Sequence, residues 1–366
     1  MKEGWKYVKL GEVATIIHGK NQKEVLSENG QYPIYGSGGT NMGYATDYLC
    51  EAGTTILGRK GTINNPQFIP HKFWNVDTAF GIAANEKIDK KLLYYFVKSQ
   101  DWSKKNSGTT LPSLTQTIVA ETPIPLPPLP EQEEIVRYLD KAFMKIDAMK
   151  EKAEEALEEA KALFQSALTE MMTPKEGWGI KKIKDIGTVI GGTTPSTNIA
   201  EYWDGSLCWI SPAELDGSHY LYDSRKKITE AAVKAKSLKL LPEGTVILSS
   251  RAPIGKVVIN KVPTYCNQGF KCVVCGKEIF NEYLYWWFLG KTEYLNSLGT
   301  GATFKEISKK VVEEIEIPLP PLPEQEAIVS RLDAISERVK IMEENYSTIV
   351  EECDAMKQAM LREVFE

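Results

Sequence analysis

Two short polar segments carry side chains that could contact a nucleic acid. Gly58-Arg59-Lys60-Gly61-Thr62 lies between apolar stretches that predict strands, and the segment from Ser249 to Lys256 takes the same place further along the chain. An arginine guanidinium can donate two hydrogen bonds to a guanine edge, while a lysine ammonium suits a phosphate. A solvated hairpin tip is the alternative for either segment. Because the pattern recurs, both interpretations stay open, and nucleic-acid contact is the hypothesis.

Two loops rich in glycine and threonine extend this hypothesis. "NSGTTLPSLTQ" at 106–116 aligns with "GTGATFKEISK" at 299–309. Their hydroxyls and backbone N–H groups suit phosphate oxygens. The predicted DNA-contacting residues are Lys20, Ser37, Arg59, Lys60, Thr62, Thr109, Thr110, Arg251, Lys256, Thr300, Thr303 and Lys305.

The sequence offers no convincing catalytic or metal-binding set. The glycine-rich segment 35–44, "YGSGGTNMGY", lacks the Lys-Ser or Lys-Thr pair of a phosphate loop. Cys272-Val-Val-Cys275 has no second Cys or His pair to complete a zinc site, and a strand with ordinary thiols is the preferred interpretation. Asn64-Asn65-Pro66-Gln67 lacks the aromatic residue used by amino-methyltransferases. We therefore predict no catalytic, cofactor-binding or metal-binding residues.

A tandem duplication must position the polar segments. "IPLPPLPEQEEIVRYLD" from Ile124 and "IPLPPLPEQEAIVSRLD" from Ile317 agree at fourteen of seventeen positions. "KEGW" also occurs twice, at 2–5 and 175–178, with a smaller offset. The second copy therefore carries about twenty extra residues, which the diverged segment 194–237 is expected to hold.

Long amphipathic helices follow both proline-rich junctions. Apolar or small residues alternate at spacings of four and three, with the same phase in both copies, which is the pattern of a coiled coil. The predicted seam includes Ile135, Leu139, Ile146, Met149, Leu163, Ile328, Leu332, Ile335, Val339, Met342, Ile349 and Met356. If the helices pair within one chain, they run antiparallel, and a helix of this length is roughly 60 Å long.

These observations predict an α+β fold, with mixed α/β globular domains on a long antiparallel two-helix coiled coil and pseudo-two-fold symmetry. The predicted domains are 1–123 and 173–317. The predicted junctions with helices are 124–172 and 318–366. Both domains have a net charge of +3, whereas the helical segments have −5 and −6. A mildly basic domain can approach phosphates, although this signal is weak alone.

The whole chain resembles the specificity subunits of Type I restriction–modification systems. The resemblance rests on both "PLPPLPEQE" junctions, the heptad helices, the opening "GWKYVKLGEVATIIHGK" and the "YPIYGSGGTNMGY…TILGRKG" pattern. It implies that each domain is a target-recognition domain for one half of a bipartite double-stranded DNA site. It also implies that the helices set the spacer and hold two methyltransferase subunits, through which restriction subunits join. S-adenosylmethionine, ATP and Mg would then bind to those partners only.

Two other functions remain as alternatives. A coiled-coil adaptor whose domains bind proteins would explain the helices equally well, and an enzyme could use the glycine-rich loop to bind a nucleotide. No apolar run reaches the length of a membrane span, and the N-terminus lacks the apolar core of a signal peptide. We therefore expect a cytoplasmic protein with no membrane partner.

Overall fold

The computed structural model describes residues 4–301 and 305–366, which form two compact units. Unit 1 contains residues 4–154 together with 346–366, and unit 2 contains the described residues of 155–345. Both boundaries fall inside long helices. The predicted residue Thr303 lies outside the described residues.

Unit 1 is a mixed α/β domain with short strands. Its strands are β1 (Lys6–Lys9), β2 (Ala14–His18), β3 (Tyr32–Tyr35), β4 (Asn41–Ala45), β5 (Thr54–Gly58), β6 (Gln67–Ile69), β7 (Trp74–Asn75), β8 (Ala79–Ala84) and β9 (Pro123–Leu126). Its short helices are α1 (Leu10–Val13), α2 (Lys90–Ser99) and α3 (Gln116–Ala120), with a 3-10 turn at Trp102–Lys105. An antiparallel sheet has the order β2-β8-β5-β6, and a second has the order β4-β3-β7. Strand β5 is buried along its whole length because α2 packs near it.

The first long helix, α4, spans Leu129–Met171, and a second mixed domain follows it. The strands of unit 2 are β10 (Gly179–Lys182), β11 (Gly187–Gly191), β12 (Trp203–Ile210), β13 (Tyr220–Leu221), β14 (Lys226–Ile228), β15 (Val246–Ser249), β16 (Val257–Asn260), β17 (Thr264–Cys266), β18 (Phe270–Cys275) and β19 (Glu316–Leu319). Its short helices are α5 (Ile183–Ile186), α6 (Glu230–Lys236), α7 (Asn281–Gly290), α8 (Thr292–Leu298) and α9 (Lys309–Glu313), with 3-10 turns at Ala200–Tyr202 and Pro212–Glu214. Its sheets have the orders β11-β18-β15-β16-β13 and β14-β12-β17. The second long helix, α10, spans Leu322–Phe365.

Strand registers define which residues of the two copies are equivalent. The pair Ala14–Ala84 in unit 1 corresponds to the pair Gly187–Cys275 in unit 2. In the same way, the pair Thr55–Ile82 corresponds to the pair Val246–Val273. The offset between equivalent residues therefore rises from 173 at β2 and β11 to 191 at β5 and β15. Strands β12, β13 and β14 and helix α6 lie in this interval, so the predicted location of the extra residues is confirmed.

The inserted segment is tied to unit 2 by aromatic stacking. The His219 ring lies between those of Tyr220 and Tyr285, with centroid distances of 4.3 and 3.8 Å. Its Nε2 is 2.7 Å from Oε2 of the buried Glu282. The insertion therefore packs against α7 and forms part of the core of unit 2.

The repeated junction attaches each domain to its long helix through a buried glutamine. Gln132 accepts a hydrogen bond from Asp89 N (2.7 Å) and donates to the carbonyls of Lys87 and Pro127 (3.0 and 2.9 Å). A tryptophan side chain also contributes, because Trp5 Nε1 donates to Glu131 Oε1 at 2.9 Å. Glu131 and Gln132 of the repeated Pro-Glu-Gln-Glu motif therefore provide this attachment. The helix begins at Leu129, within the proline-rich junction.

The beginning and the end of each domain are adjacent in space. Strand β1 pairs antiparallel with β9, so that Lys6 lies opposite Leu126. Strand β10 pairs with β19 in the same way, with Gly179 opposite Leu319. The chain therefore enters and leaves each domain at one two-stranded ribbon.

The long helices pair antiparallel within each unit, as predicted. In unit 1 Lys150 Nζ is 3.6 Å from Asp354 Oδ1, and Lys357 forms an ion pair with Asp147. In unit 2 Lys161 Nζ is 3.3 Å from Glu343 Oε1. Leu168 and Met172 share a core cluster with Ile328, Val329 and Leu332. The predicted coiled-coil contribution to the fold is therefore confirmed.

Three residues predicted to lie in the seam face solvent instead, so the prediction is wrong for them. Met149, Leu163 and Met356 are 56%, 70% and 49% exposed. The packed stripe on α4 keeps Leu139 and Ile146 and also contains the buried Phe143 and Leu157 and the partly buried Phe164, which follows the predicted Leu163. These side chains bury apolar area, whereas Met149 and Leu163 leave theirs exposed, so they set the orientation of the helix.

The other predicted seam residues lie at least partly within the packed face. Leu139, Ile146, Ile328 and Leu332 are buried, and the partly buried members are Ile135, Ile335, Val339, Met342 and Ile349. In place of Met356, the neighbouring Lys357 lays its side chain against Phe143, with Nζ 5.4 Å from the ring centroid. A long cationic side chain can cover apolar surface in this way while its charge reaches a carboxylate.

Candidate nucleic-acid interface

The predicted polar loops of unit 1 lie side by side. The loop after β5 contacts the threonine-rich loop, because Gly61 N donates to Pro112 O at 2.9 Å and Leu114 N donates to Arg59 O at 2.8 Å. Lys60 and Ser113 form a β-bridge. We call residues 36–40, 58–62 and 106–114 loop surface 1. It brings together all the predicted DNA-contacting residues of unit 1 except Lys20.

Close backbone contact within loop surface 1 requires a glycine. A Cβ atom at Gly58 would lie 1.8 Å from Thr62 O and 3.1 Å from Ser37 O. The loop at 106–113 is closed by Asn106, whose Oδ1 accepts hydrogen bonds from Gly108 N and Ser113 N, both at 2.8 Å. Thr62, Thr109 and Thr110 are exposed, so their hydroxyls are available to a ligand.

Arg59 and Lys60 have different roles in loop surface 1. The Arg59 side chain turns back, and its Nη1 donates to Asp77 O at 2.9 Å. Lys60 is exposed. Lys20 is also exposed and belongs to the adjoining loop, where its backbone N donates to Asn75 O at 3.0 Å. Lys60 is therefore better placed than Arg59 to contact a ligand.

The corresponding loops of unit 2 also meet. Ile307 N donates to Ser250 O at 2.9 Å, and Arg251 forms a β-bridge with Glu306. Glu306 and Thr300 exchange backbone hydrogen bonds. We call residues 249–256, 267–271, 299–301 and 305–307 loop surface 2. It contains the exposed Arg251, Thr300 and Lys305.

Lys256 is partly committed to the fold of loop surface 2. Its Nζ donates to Leu215 O at 2.9 Å, and its backbone N donates to Ser249 Oγ at 3.0 Å. Ser249 Oγ in turn donates to Pro253 O at 2.7 Å. These bonds fix the loop that carries Arg251.

The sequence places Arg59 and Arg251 in corresponding segments, but the backbone contacts show that their positions differ by one residue. The bridge from Lys60 to Ser113 matches the bridge from Arg251 to Glu306, and the bond to Arg59 O matches the bond to Ser250 O. Arg251 is therefore equivalent to Lys60. Arg59 is equivalent to Ser250, whose side chain is fully buried.

Sequence reasoning missed a charged cluster in loop surface 2. Glu306 Oε2 accepts from Arg251 Nε at 2.8 Å, and its Oε1 is 3.2 Å from Lys271 Nζ. Burial opposes ionisation of Glu306, but the hydrogen bonds from Arg251 and Lys271 outweigh it, so the pKa of Glu306 is lowered. A lysine within the apolar strand "FKCVVC" is the signal that could have indicated the cluster.

Lys271 and Arg59 place a cation at equivalent sites from different backbone positions. Lys271 Nζ is 3.4 Å from Gln268 O, and Arg59 Nη1 is 2.9 Å from Asp77 O, where Asp77 and Gln268 are equivalent through the 191 offset. The residue equivalent to Lys271 is Phe80. Both units therefore hold a positive charge beside the loop that follows the equivalent strands β5 and β15.

The described residues offer no assembled site for a metal. Across 4–301 and 305–366, no group of three or more His, Cys, Asp and Glu side chains is placed to hold a metal ion. The CxxC segment lies in β18, and burial raises the pKa of the Cys275 thiol to about 12. No helix in the same residues is both long and apolar enough to cross a bilayer.

Comparison with solved structures supports the fold. A chain described under the structural basis of complex assembly and conformational transition of the type I R-M system aligns with a TM-score of 0.80, at 21% identity, over 99% of this chain and 97% of that one. The HsdS subunit from Thermoanaerobacter tengcongensis aligns with a TM-score of 0.59 and 21% identity, over 100% of this chain and 97% of that one.

Sequence comparisons give the family. The specificity subunit of the Type I restriction enzyme MjaIX from Methanocaldococcus jannaschii is 46% identical over 171 residues, covering 46% of this chain and 39% of that protein. The EcoR124I/EcoR124II specificity subunit from Escherichia coli is 34% identical over 226 residues, covering 58% and 54%. The chain thus aligns with about half or less of these relatives. Residues 2–159 and 175–351 match the Type I restriction modification DNA specificity domain, and the chain belongs to this family.

Proposed function

We propose that this chain is the sequence-specific DNA-recognition subunit of a Type I restriction–modification complex. Loop surface 1 reads one half of a bipartite site, and loop surface 2 reads the other. The observation that carries this proposal is a repeated scaffold with exposed cationic tips at equivalent positions, Lys60 and Arg251. Membership of the DNA specificity family supports DNA over a protein ligand for these tips.

The chain itself performs no chemistry in this proposal. Two methyltransferase subunits dock on the paired helices, and restriction subunits join through them. S-adenosylmethionine, ATP and Mg bind to those partners. The complex acts in the cytoplasm. The acidic helical segments, with net charges of −5 and −6, are the surfaces that we assign to protein partners rather than to DNA.

Co-expression with a candidate methyltransferase subunit, followed by mapping of methylated adenines, tests the proposal. We expect methylation at two short sequences separated by a fixed spacer of unspecified sequence. Lys60→Ala should relax the base preference of one half-site and Arg251→Ala that of the other, by about 5- to 150-fold if each contact is base-specific. Equal weakening on all DNA would instead identify a phosphate contact.

The salt dependence of DNA binding distinguishes the proposed function from the adaptor alternative. The proposed function predicts that binding of the assembled complex to DNA weakens steeply as the salt concentration rises, because phosphate contacts release counterions. If the complex binds DNA without measurable salt dependence and methylates no bipartite site, the domains bind something other than DNA.

We further propose that the helices measure the spacer. Inserting seven residues after Glu154 in α4 and seven after Asn345 in α10 preserves the heptad phase and lengthens the pair by about 10 Å. This length equals about three base pairs, so the spacer should lengthen while both half-sites stay the same. A variant with one insertion only is the matched control and should lose helix pairing. Altered half-sites with an unchanged spacer would contradict the measuring role.

A further inference from the structure

Loop surface 2 contains a carboxylate where a DNA-contacting surface should disfavour one. Glu306 uses both oxygens, one for Arg251 Nε at 2.8 Å and one for Lys271 Nζ at 3.2 Å. An acidic side chain near phosphates costs affinity through repulsion, so its presence needs a compensating role. The two bonds show which residues that role involves.

Lys271 is a rigid anchor for Glu306. It is 7% exposed, and its Nζ is also 3.1 Å from Oγ of the buried Ser250. Ser250 Oγ donates to Gly269 O at 3.0 Å. A buried ammonium needs an opposite charge, and Glu306 supplies it. Glu306 is therefore held from below by groups that belong to the core of unit 2.

Arg251 is held from one edge only. Its Nε is the atom bonded to Glu306, and its side chain is 44% exposed. The backbone bridge between Arg251 and Glu306 fixes the same edge. A guanidinium bound through Nε still has its two terminal amino groups, which form the planar fork that matches guanine O6 and N7. Fixing the side chain before binding lowers the entropy cost of that contact.

We infer that Glu306, anchored by Lys271, is a positioning residue that orients Arg251 to read a guanine in the half-site of unit 2. This inference rests on the proposed function of the chain. Unit 1 lacks the device, because Lys60 and Ser113 occupy the places of Arg251 and Glu306. Reading by unit 1 therefore does not use a carboxylate at the position equivalent to Glu306.

The test compares Glu306→Gln, Arg251→Ala and the double variant in the complete methyltransferase complex. We expect Glu306→Gln to reduce discrimination at one base pair of the second half-site by about 5- to 150-fold and to leave the first half-site unchanged. In the Arg251→Ala background, Glu306→Gln should have no further effect on that base pair. Glu243→Gln, at an exposed position of unit 2 outside both loop surfaces, is the matched control and should leave both half-sites unchanged.

A second variant distinguishes loss of the positioning role of Glu306 from a folding defect caused by an unpaired buried charge. Lys271→Met combined with Glu306→Gln removes the buried ammonium together with its partner, so no charge is left unpaired, and it should reproduce the loss of discrimination. Unchanged discrimination in Glu306→Gln, or equal losses with and without Arg251, would overturn the inference while the wild-type complex still methylates a bipartite site. If the wild-type complex methylates no bipartite site, the proposed function fails and this inference fails with it.

Discussion

The two units keep the contacts that attach domain to helix and change the contacts at the tips. Gln325 accepts from Phe280 N and donates to the carbonyls of Glu278 and Pro320, at 2.8, 2.9 and 2.9 Å. These bonds repeat those of Gln132 one for one. Trp178 Nε1 likewise donates to Glu324 Oε2 at 3.0 Å, as Trp5 does to Glu131. Attachment to the helix tolerates little change because each bond satisfies a polar group that is otherwise buried.

Equivalent positions at the tips hold different side chains. Phe80, Arg59 and Ser113 of unit 1 correspond to Lys271, Ser250 and Glu306 of unit 2, respectively. The backbone bridges between the loops are nevertheless the same in both units. The comparison teaches that backbone hydrogen bonds fix where the loops lie, while side chains are free to change the surface that they present. Under the proposed function, such a repeated scaffold can present a different reading surface in each unit.

The largest expected effect is on the free energy of unfolding, through the glutamine contacts that attach each domain to its long helix in both units. Replacing Gln132 or Gln325 by Ala removes the partners of one backbone N–H and two carbonyls, which should lower the free energy of unfolding of the affected unit by about 3 kcal/mol or more. Chemical denaturation measures this loss. Glu326→Ala, at an exposed neighbouring position, should change it by less than about 0.5 kcal/mol. A large loss at one glutamine and none at the other would break the proposed likeness of the two attachments.

A smaller effect should separate Arg59 from Lys60. Arg59→Met removes the hydrogen bond to Asp77 O, which should cost about 1 kcal/mol of stability or less because Arg59 is only partly buried. It should leave the base preference of the first half-site unchanged, whereas Lys60→Ala should alter that preference without lowering stability. Thermal melting and methylation mapping on the same variants check both statements. Altered base preference in Arg59→Met would contradict the assignment of the base contact to Lys60 rather than to Arg59.

The sequence was sufficient for the features that repeat. The junctions, the duplication, the antiparallel helices and the place of the insertion all follow from matching letters and periodic spacing. The seam phase was partly wrong because Met149 and Leu163 fit the heptad, while Phe143, Leu157 and Phe164 form the larger stripe beside them. Periodicity alone does not weigh side-chain size.

The charged cluster could not be predicted because it depends on which loops are neighbours. Lys271 and Glu306 are separated by 35 residues and meet only through the bridges that join the loops. The same bridges show that the positions of Arg59 and Arg251 differ by one residue, which an alignment of sequences through loops of unequal length could not show. Sequence reasoning therefore named loops that the structure brings together, but not the arrangement of side chains within them.

The two-stranded ribbons have a consequence for how such a protein can evolve. Because Lys6 lies opposite Leu126 and Gly179 opposite Leu319, each domain starts and finishes at one place beside the helix that it precedes. Such a domain can be exchanged as a cassette, since the incoming segment needs only to supply its own ribbon and leaves the direction of the following helix unchanged. Near-identical junctions then act as connectors, and a new combination of two domains can arise by replacement of one of them.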